Sequence, residues 1–484
     1  MSKKNKMRDI IVLLPGILGS SLQKDGRDLW NISGQAISDF VKNLRKGNNL
    51  QHLKIKNDDP TLDDLGDGIK ATSLMQDFHF LPGFWKIDGY TKIADSISKE
   101  FNVTLGENYF EFPYDWRRDN RVAARKLEKL MNLKLSQWRE SSGAKNAKVI
   151  LIAHSMGGLV SRYYLEKLGG WQNCRALITF GTPYRGSVQA LDYLANGYKG
   201  IFGDLTEVVR SLTSTYQLLP IYKMVKIGDD YHRIAEIANI PNLLTREGES
   251  KNEAEKALEF HREIEAAQKL NAQEEDYQNN FVTIPYVGTE QKTWQSAELS
   301  NSELTVSWEL PPNIGNERGS GDGTVPRLSA SPIEFDTNSK LRFFSRYVAA
   351  KHNSIQNNGS VLVDLIRSFQ DLEISEQEPI RGDLSQTGIS LEVEDFFLKD
   401  EPVIIKADVK GRFPQHIEEK LELKAQITSV STNQVVNEAK LQKSGAEWLL
   451  ALENLDSGLY RLEVKTEKTG GGFPNPVSDV FEVG

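Results

Sequence analysis

Val149-Ile-Leu-Ile-Ala-His-Ser-Met-Gly-Gly-Leu-Val-Ser-Arg-Tyr-Tyr-Leu165 begins as an unbroken apolar run and ends as an amphipathic helix pattern. An apolar run closed by a turn is the mark of a strand buried on both faces. Between strand and helix sits a polar knot, Ala153-His154-Ser155-Met156-Gly157. A sharp strand-to-helix turn exposes one side chain at the carboxyl edge of a sheet. It requires small residues two before and two after, where the backbone is crowded. Here those positions hold Ala153 and Gly157. One extra methyl at the first is tolerable after a slight helix shift, whereas the second keeps Gly and is followed by Gly158. The knot reads as a nucleophile elbow with Ser155 as nucleophile; the competing reading is a serine N-cap with His154 incidental. His154 is a poor base for Ser155, because adjacent side chains on such a turn diverge, and is expected in the wall of the site.

Outward from the knot, strand-like runs alternate with helical patterns. Ile10–Leu14 reads as a buried strand ending in Pro15-Gly16. Leu127, Leu130, Met131, Leu135 and Trp138 share one face of a helix over 120–139, with Asp119 as N-cap. Ala176–Phe180, Phe281–Gly288 and Lys340–Ala349 read as further strands. The alternation predicts an α/β fold with a mainly parallel sheet. Residues 187–280 break the rhythm and read as a cap over the carboxyl edge. Within them Ile201, Leu205, Val208, Val209, Leu212 and Tyr216 form one helical stripe, suited either to core packing or to lipid, and 250–277 form a charged helix. Residues 371–385 look like a linker. From 386 to 484, period-two alternation at Ile389, Leu391, Val393, at Val403, Ile405, Ala407, and again at Tyr460, Leu462, Val464 predicts an antiparallel, immunoglobulin-like β-sandwich. Asp456-Ser-Gly-Leu-Tyr460 resembles a tyrosine corner. The expected division is a catalytic domain over 1–370, the linker, and a sandwich over 386–484.

Composition narrows the partners. The net charge of −8 comes without a long basic block, which argues against nucleic acid. Cys174 is the single cysteine, so no intrachain disulfide forms and a reducing, cytoplasmic setting is expected, or a peripheral one at a membrane surface. Met1–Lys6 followed by Ile10–Leu14 imitates a secretion signal, but that run is needed as a strand of the catalytic domain. No apolar stretch is long enough for a transmembrane helix.

An elbow of this kind takes its partners in the order Ser, Asp or Glu, then His. His232 and His261 lie in the expected cap and His416 in the sandwich, so His352, just after the strand over 340–349, is the base that chain order selects. The acid falls between them. Gly319-Ser-Gly-Asp322-Gly-Thr-Val-Pro326 suits it, because flanking glycines let the turn aim a carboxylate inward to orient an imidazole. A phosphate cradle or calcium loop is the rival, but no GxxxxGK[ST] or EF-hand spacing is present. The oxyanion donors are expected to be the backbone N–H of Met156 and that of Ile17, in the loop after the first strand. No cofactor and no metal are called for.

Several motifs stand in an ordered series: Leu14-Pro-Gly-Ile-Leu-Gly-Ser-Ser-Leu22 with Trp30, Leu81-Pro-Gly-Phe84, Phe112-Pro-Tyr-Asp-Trp-Arg117, Ala153-His-Ser-Met-Gly157, Phe180-Gly-Thr-Pro-Tyr-Arg-Gly-Ser187, Gly321-Asp-Gly-Thr-Val325 and Lys351-His352. Together they resemble the lecithin:cholesterol acyltransferase family over roughly residues 8–365. The resemblance implies an α/β-hydrolase fold and an acyl-serine formed from a lipid ester, whose acyl group passes to water or an alcohol. It also implies Ser155 as nucleophile, Asp322 as acid, His352 as base, and Ile17 and Met156 as backbone donors. It implies a lipid or membrane-surface substrate; the Asp115–Arg pair of the 112–117 block is expected to be structural. The terminal sandwich lies outside the resemblance; a protein partner, a surface, or neither fits it. Two other functions fit the residues: an esterase or thioesterase on small soluble acyl substrates, and a non-catalytic binding protein on a hydrolase scaffold.

Overall fold

The computed structural model describes residues 4–31, 50–75, 89–200, 203–237, 240, 243, 252–336, 344–374, 388–410, 421–445, 447–467 and 473–484. The Leu81–Phe84 motif, Ile201 and positions 375–385 of the expected linker lie outside them. Six strands form the central sheet: β1 (Ile10–Leu14), β2 (Tyr109–Glu111), β3 (Val149–His154), β4 (Cys174–Phe180), β5 (Val282–Thr289) and β6 (Arg346–Ala349). Their order across the sheet is β2-β1-β3-β4-β5-β6. Every neighbouring pair is parallel. The apolar runs of β1 and β3 are buried throughout, as parallel strands covered on both faces must be.

The chain runs from β1 to one side of the sheet, then returns to place β3 on the other side of β1. That reversal opens a crevice at the carboxyl ends of β1 and β3, where an open α/β sheet characteristically holds its site. In register, Leu14 is opposite Ala153, so the loop after β1 and the elbow after β3 leave the sheet at one level.

Helix α1 (Thr91–Glu100) precedes β2, and α2 (Asn120–Ser142) follows it; Asp119 accepts from the Arg121 N–H at the start of α2, the cap its sequence calls for. Helix α3 (Gly157–Arg162) opens directly on the elbow and widens into a π turn over Tyr163–Lys167. Helix α4 (Val188–Asn196) follows β4.

The single helix expected over 201–216 is two short ones, Thr206–Ser211 and Thr213–Tyr216, broken at Leu212, whose backbone is extended. The break turns Leu205, Val208, Val209, Leu212 and Tyr216 inward, and all are buried in the main core. Packing, not lipid contact, accounts for these five. Helix α5 (Glu253–Asn271) is capped by Asn252 and Glu255, and it stacks Phe260 on Tyr163 of the π turn. Helix α6 (Gly359–Ile374) covers residues 371–374, the first positions of the expected linker.

The C-terminal region is all-β, with its own buried cluster that includes Ile389, Ile405, Leu423, Leu462 and Phe481. One sheet pairs Gly388–Val393, Val403–Lys410, Glu447–Leu452 and Gln442–Ser444, all antiparallel. The other is antiparallel except at Phe396–Phe397, which joins Val477–Val483 in parallel, a departure from the wholly antiparallel sandwich expected of these residues. Alternation reports which face is buried and carries no information on strand direction. The Tyr460 hydroxyl donates to the Asp456 carbonyl at 2.6 Å.

Candidate active site

Ser155 has a φ of 51°, in the left-handed region that a non-glycine residue occupies only when its surroundings hold it there. The Ser155 N–H bonds the Phe180 carbonyl and its own carbonyl accepts from the Thr182 hydroxyl. The space needed is supplied at two glycines. A Cβ on Gly157 would lie 2.4 Å from the Pro15 oxygen, and one on Gly158 would lie 2.0 Å from Thr182 Oγ1. Ala153, by contrast, is accommodated within the fully buried β3.

The three side chains singled out by the sequence lie in one hydrogen-bonded row. His352 Nε2 is 2.9 Å from Ser155 Oγ, and His352 Nδ1 is 2.7 Å from Asp322 Oδ2. All three residues are buried. Asp322 reaches inward because its other carboxylate oxygen takes the N–H groups of Thr324 and Val325 in its own turn. Its backbone carbonyl accepts from the His352 N–H at 2.8 Å, so acid and base loops are tied by main chain as well. Two glycines keep the pair in place: a Cβ on Gly181 would lie 2.8 Å from Asp322 Oδ2, and one on Gly288 would lie 2.4 Å from Asp322 Cβ.

The loop after β1 presses on the same point. A Cβ on Gly16 would lie 2.8 Å from Ser155 Cβ, which places the Gly16–Ile17 backbone beside the nucleophile. Met156 stands at the start of α3 and Ile17 is buried. This loop is gripped by the 112–117 block, for which spacing suggested no chemical role. The Tyr114 hydroxyl donates to the Pro15 carbonyl, the Tyr114 N–H to Ser20 Oγ, and the Trp116 indole to the Ser20 carbonyl. Arg117 is fully buried and pairs with Asp115 and Asp67, the structural ion pair expected of that block.

His154 lines the site as expected, but as a strut. Gly16 N–H donates to the Tyr90 hydroxyl at 2.8 Å, and the hydroxyl donates to His154 Nδ1, 3.0 Å away, because the other ring nitrogen faces a carbonyl that can only accept. That tautomer leaves Nε2–H to donate to the His352 carbonyl at 2.9 Å. Burial, reinforced by nearby His352, depresses the His154 imidazole to about 3, so it is neutral. Burial likewise keeps the Tyr90 phenol protonated. No sequence signal marks Tyr90; only the fold brings it to the loop. Among the described residues, no group of three or more His, Cys, Asp or Glu side chains is arranged to hold a metal ion, and no helix is long and apolar enough to cross a membrane.

Residues 79–316 match the lecithin:cholesterol acyltransferase family. The lecithin:cholesterol acyltransferase match takes in the 112–117 block and the elbow; Ile17 precedes it, and Asp322 and His352 follow it. Lysosomal phospholipase A and acyltransferase of Homo sapiens is 32% identical over 128 residues, 25% of this chain and 30% of that one. The Rattus norvegicus protein of the same name is 30% identical over 139 residues, 27% of this chain and 32% of its own. The chain thus spans about a third of the length of these curated relatives. Among solved structures, one in the crystal structure of the Tle4–Tli4 complex covers 78% of this chain and 100% of its own length, at 15% identity and a TM-score of 0.49. That degree of likeness is no basis for assigning an activity.

Proposed function

We propose that the chain is a serine-dependent lipid acyl hydrolase or O-acyltransferase working through an acyl-serine. The observation that carries this reading is the row Ser155 Oγ, His352 Nε2, His352 Nδ1, Asp322 Oδ2, with Ser155 in a strained backbone conformation at the head of a helix. Ser155 Oγ attacks the ester carbonyl while His352 Nε2 takes its proton. The alcohol departs with that proton and leaves the acyl group on Oγ. Water or an acceptor alcohol then attacks, gives its proton to Nε2, and the acid or new ester leaves as Oγ recovers the proton. Asp322 holds the imidazole in the tautomer that presents a bare Nε2. The N–H groups of Met156 and Ile17 stabilise the oxyanion; one such donor is worth about 10²–10³ in turnover. The family match and the names of the two relatives favour a phospholipid or glycerolipid ester as substrate.

The remaining assignments belong to the same proposal. They are an α/β-hydrolase domain over 1–370 with a cap near 187–280, an immunoglobulin-like sandwich over 386–484, and a cytoplasmic or membrane-peripheral location. The sandwich reading is supported by the Tyr460–Asp456 bond and by the two facing sheets.

A fluorophosphonate probe and mixed phospholipid vesicles test the activity. Labelling of wild type and release of lysolipid and fatty acid, both lost in Ser155→Ala, is the expected result. A folded wild type that neither labels nor changes the lipids sinks the reading.

A further inference from the structure

The C-terminal sandwich touches the catalytic half at the base loop, at the end of β6 and at Gln291, which bonds the acid loop. Lys351, the residue before His352, forms an ion pair with Asp479 of the strand Val477–Val483; the Asp479 carboxylate is fully buried and the Lys351 side chain is 16% exposed. Ala349 closes β6, the strand that delivers Lys351 and His352. A Cβ on Gly388, the first residue of the sandwich's first strand, would lie 1.9 Å from the Ala349 Cβ. The third contact is at the acid loop. Gln291 follows β5 and its N–H bonds the Gly321 carbonyl, next to Asp322. Its buried side-chain amide then brackets the same sandwich strand, Nε2 donating to the Ile389 carbonyl at 3.0 Å and Oε1 accepting from the Leu391 N–H at 3.2 Å. Thr293 completes the strap: its hydroxyl donates to the Gln291 carbonyl and accepts from the Gly323 N–H.

These contacts share a direction. Asp322 and His352 sit on loops outside the sheet; the base loop meets the sandwich directly at Lys351, and the acid loop is tied to it through Gln291. Buried charges are poor general glue, because desolvation offsets much of their attraction; what they supply is a defined geometry. A buried amide that satisfies both a carbonyl and an N–H of one strand fixes register in the same way.

We propose that the β-sandwich is a positioning brace for the acid–base pair, with Lys351, Asp479 and Gln291 as its positioning residues. The inference rests on the catalytic reading of Ser155, Asp322 and His352. It assigns a purpose to the region that lies beyond the family match at residues 79–316. The sandwich acts by holding Asp322 and His352 in line with Ser155, and it need not touch substrate. Since small misplacements of reacting groups cost on the order of 10²-fold in rate, a brace at this distance matters to turnover.

The test uses the full chain. Asp479→Asn, Lys351→Met and Gln291→Leu are compared with wild type by steady-state hydrolysis of p-nitrophenyl butyrate, well below each variant's Tm. Hydrogen–deuterium exchange is followed over residues 319–326 and 350–354. Lys440→Ala, which removes an exposed ion pair on the outer edge of the sandwich, serves as control. The expected result is a kcat reduced roughly 10- to 100-fold, with KM nearly unchanged and faster exchange in both loops. Lys351→Arg recovers most of the kcat, and Lys440→Ala behaves as wild type. If any of the three loses the fold, the remaining variants and Gly388→Ala, which wedges strand against strand, carry the test. An active wild type whose folded variants keep both kcat and loop exchange overturns the brace alone. A wild type inert to ester and fluorophosphonate overturns the catalytic reading and the brace with it.

Discussion

The imidazole Nε2 of His154 lies 2.9 Å from the backbone carbonyl of His352, although the two residues are 198 positions apart. Through Nδ1 the same ring reaches the Tyr90 hydroxyl, and through that the Gly16 N–H. One neutral side chain thus joins the elbow, the base loop and the loop that presses on Ser155.

Removing either member of this link should slow the chemistry. Tyr90→Phe strands the Gly16 N–H and the acceptor nitrogen of His154; His154→Phe strands the His352 carbonyl and the Tyr90 hydroxyl. Each unpaired buried group costs about 1–3 kcal/mol of stability, which drives the loops to shift toward new partners, and the resulting misplacement of the Gly16–Ile17 backbone and His352 should lower kcat roughly tenfold or more in each. The double variant should lose less than the product of the two, because both break one chain. Additive losses in a double-mutant cycle would show that the link does not act as a unit.

Acid should unfold the protein through its buried histidines. His154 titrates near 3 and His261 near 4 in the fold, both depressed by burial from 6.5. A depressed folded value means the unfolded chain binds the proton first. The neutral rings therefore contribute stability in full above pH 6.5, and it is lost as pH falls toward their folded values. The slope is up to about 1.4 kcal/mol per pH unit for each ring. Denaturant midpoints measured from pH 7 to 4 should drop steadily. His261→Gln, which keeps a donor toward the Gln217 carbonyl, should flatten that slope; a slope unchanged in the variant would remove His261 from the account.

Gly181→Ala should disable the acid–base pair while leaving the chain folded. The position has φ of 54°, and the new methyl would meet Asp322 Oδ2 at 2.8 Å and His352 Nδ1 at 2.9 Å. The carboxylate–imidazole bond cannot persist in place against that methyl. Asp322→Asn, which alters the same bond by tautomer, is expected to lower kcat about 10⁴-fold. Gly181→Ala should approach that loss, with circular dichroism like that of wild type. Near-native turnover in Gly181→Ala would mean that the bond is dispensable.

Tyr114→Phe probes the grip on the loop after β1. It deletes the one hydroxyl that holds the Pro15 carbonyl and leaves ring packing intact. If the Ile17 N–H serves the oxyanion, kcat should fall with little change in KM, by up to the roughly 10²-fold that losing a donor costs. A rise in KM at constant kcat would instead assign the loop to ground-state binding.

Much of the architecture was legible because it is local. Continuous apolar runs at Ile10–Leu14 and Val149–Ala153, each closed by a turn, read as buried strands, and Asp119 caps α2 with atoms from its own turn. The small residues after Ser155 were expected from crowding at such a turn, and the groups that crowd them are Pro15 and Thr182, from the neighbouring strand ends. By elimination among seven histidines, the sequence alone could single out His352, and glycine spacing could point to Asp322. What it lacked was anything set by packing between distant segments. The break at Leu212 answers to the core that the short helices enter, and the parallel pairing of Phe396–Phe397 answers to the strand beside it.

Local patterning determined the strands and the elbow, since each depends on residues a few positions apart, and the chain order usual for such an elbow pointed to its partners. Tertiary structure alone decided that His154 bonds the base loop and, through Tyr90, the loop after β1, that the 112–117 block grips that same loop, and that the sandwich meets Lys351 and Gln291. Those contacts join groups 64 to 198 positions apart, and no local propensity encodes which distant partner satisfies a buried polar atom.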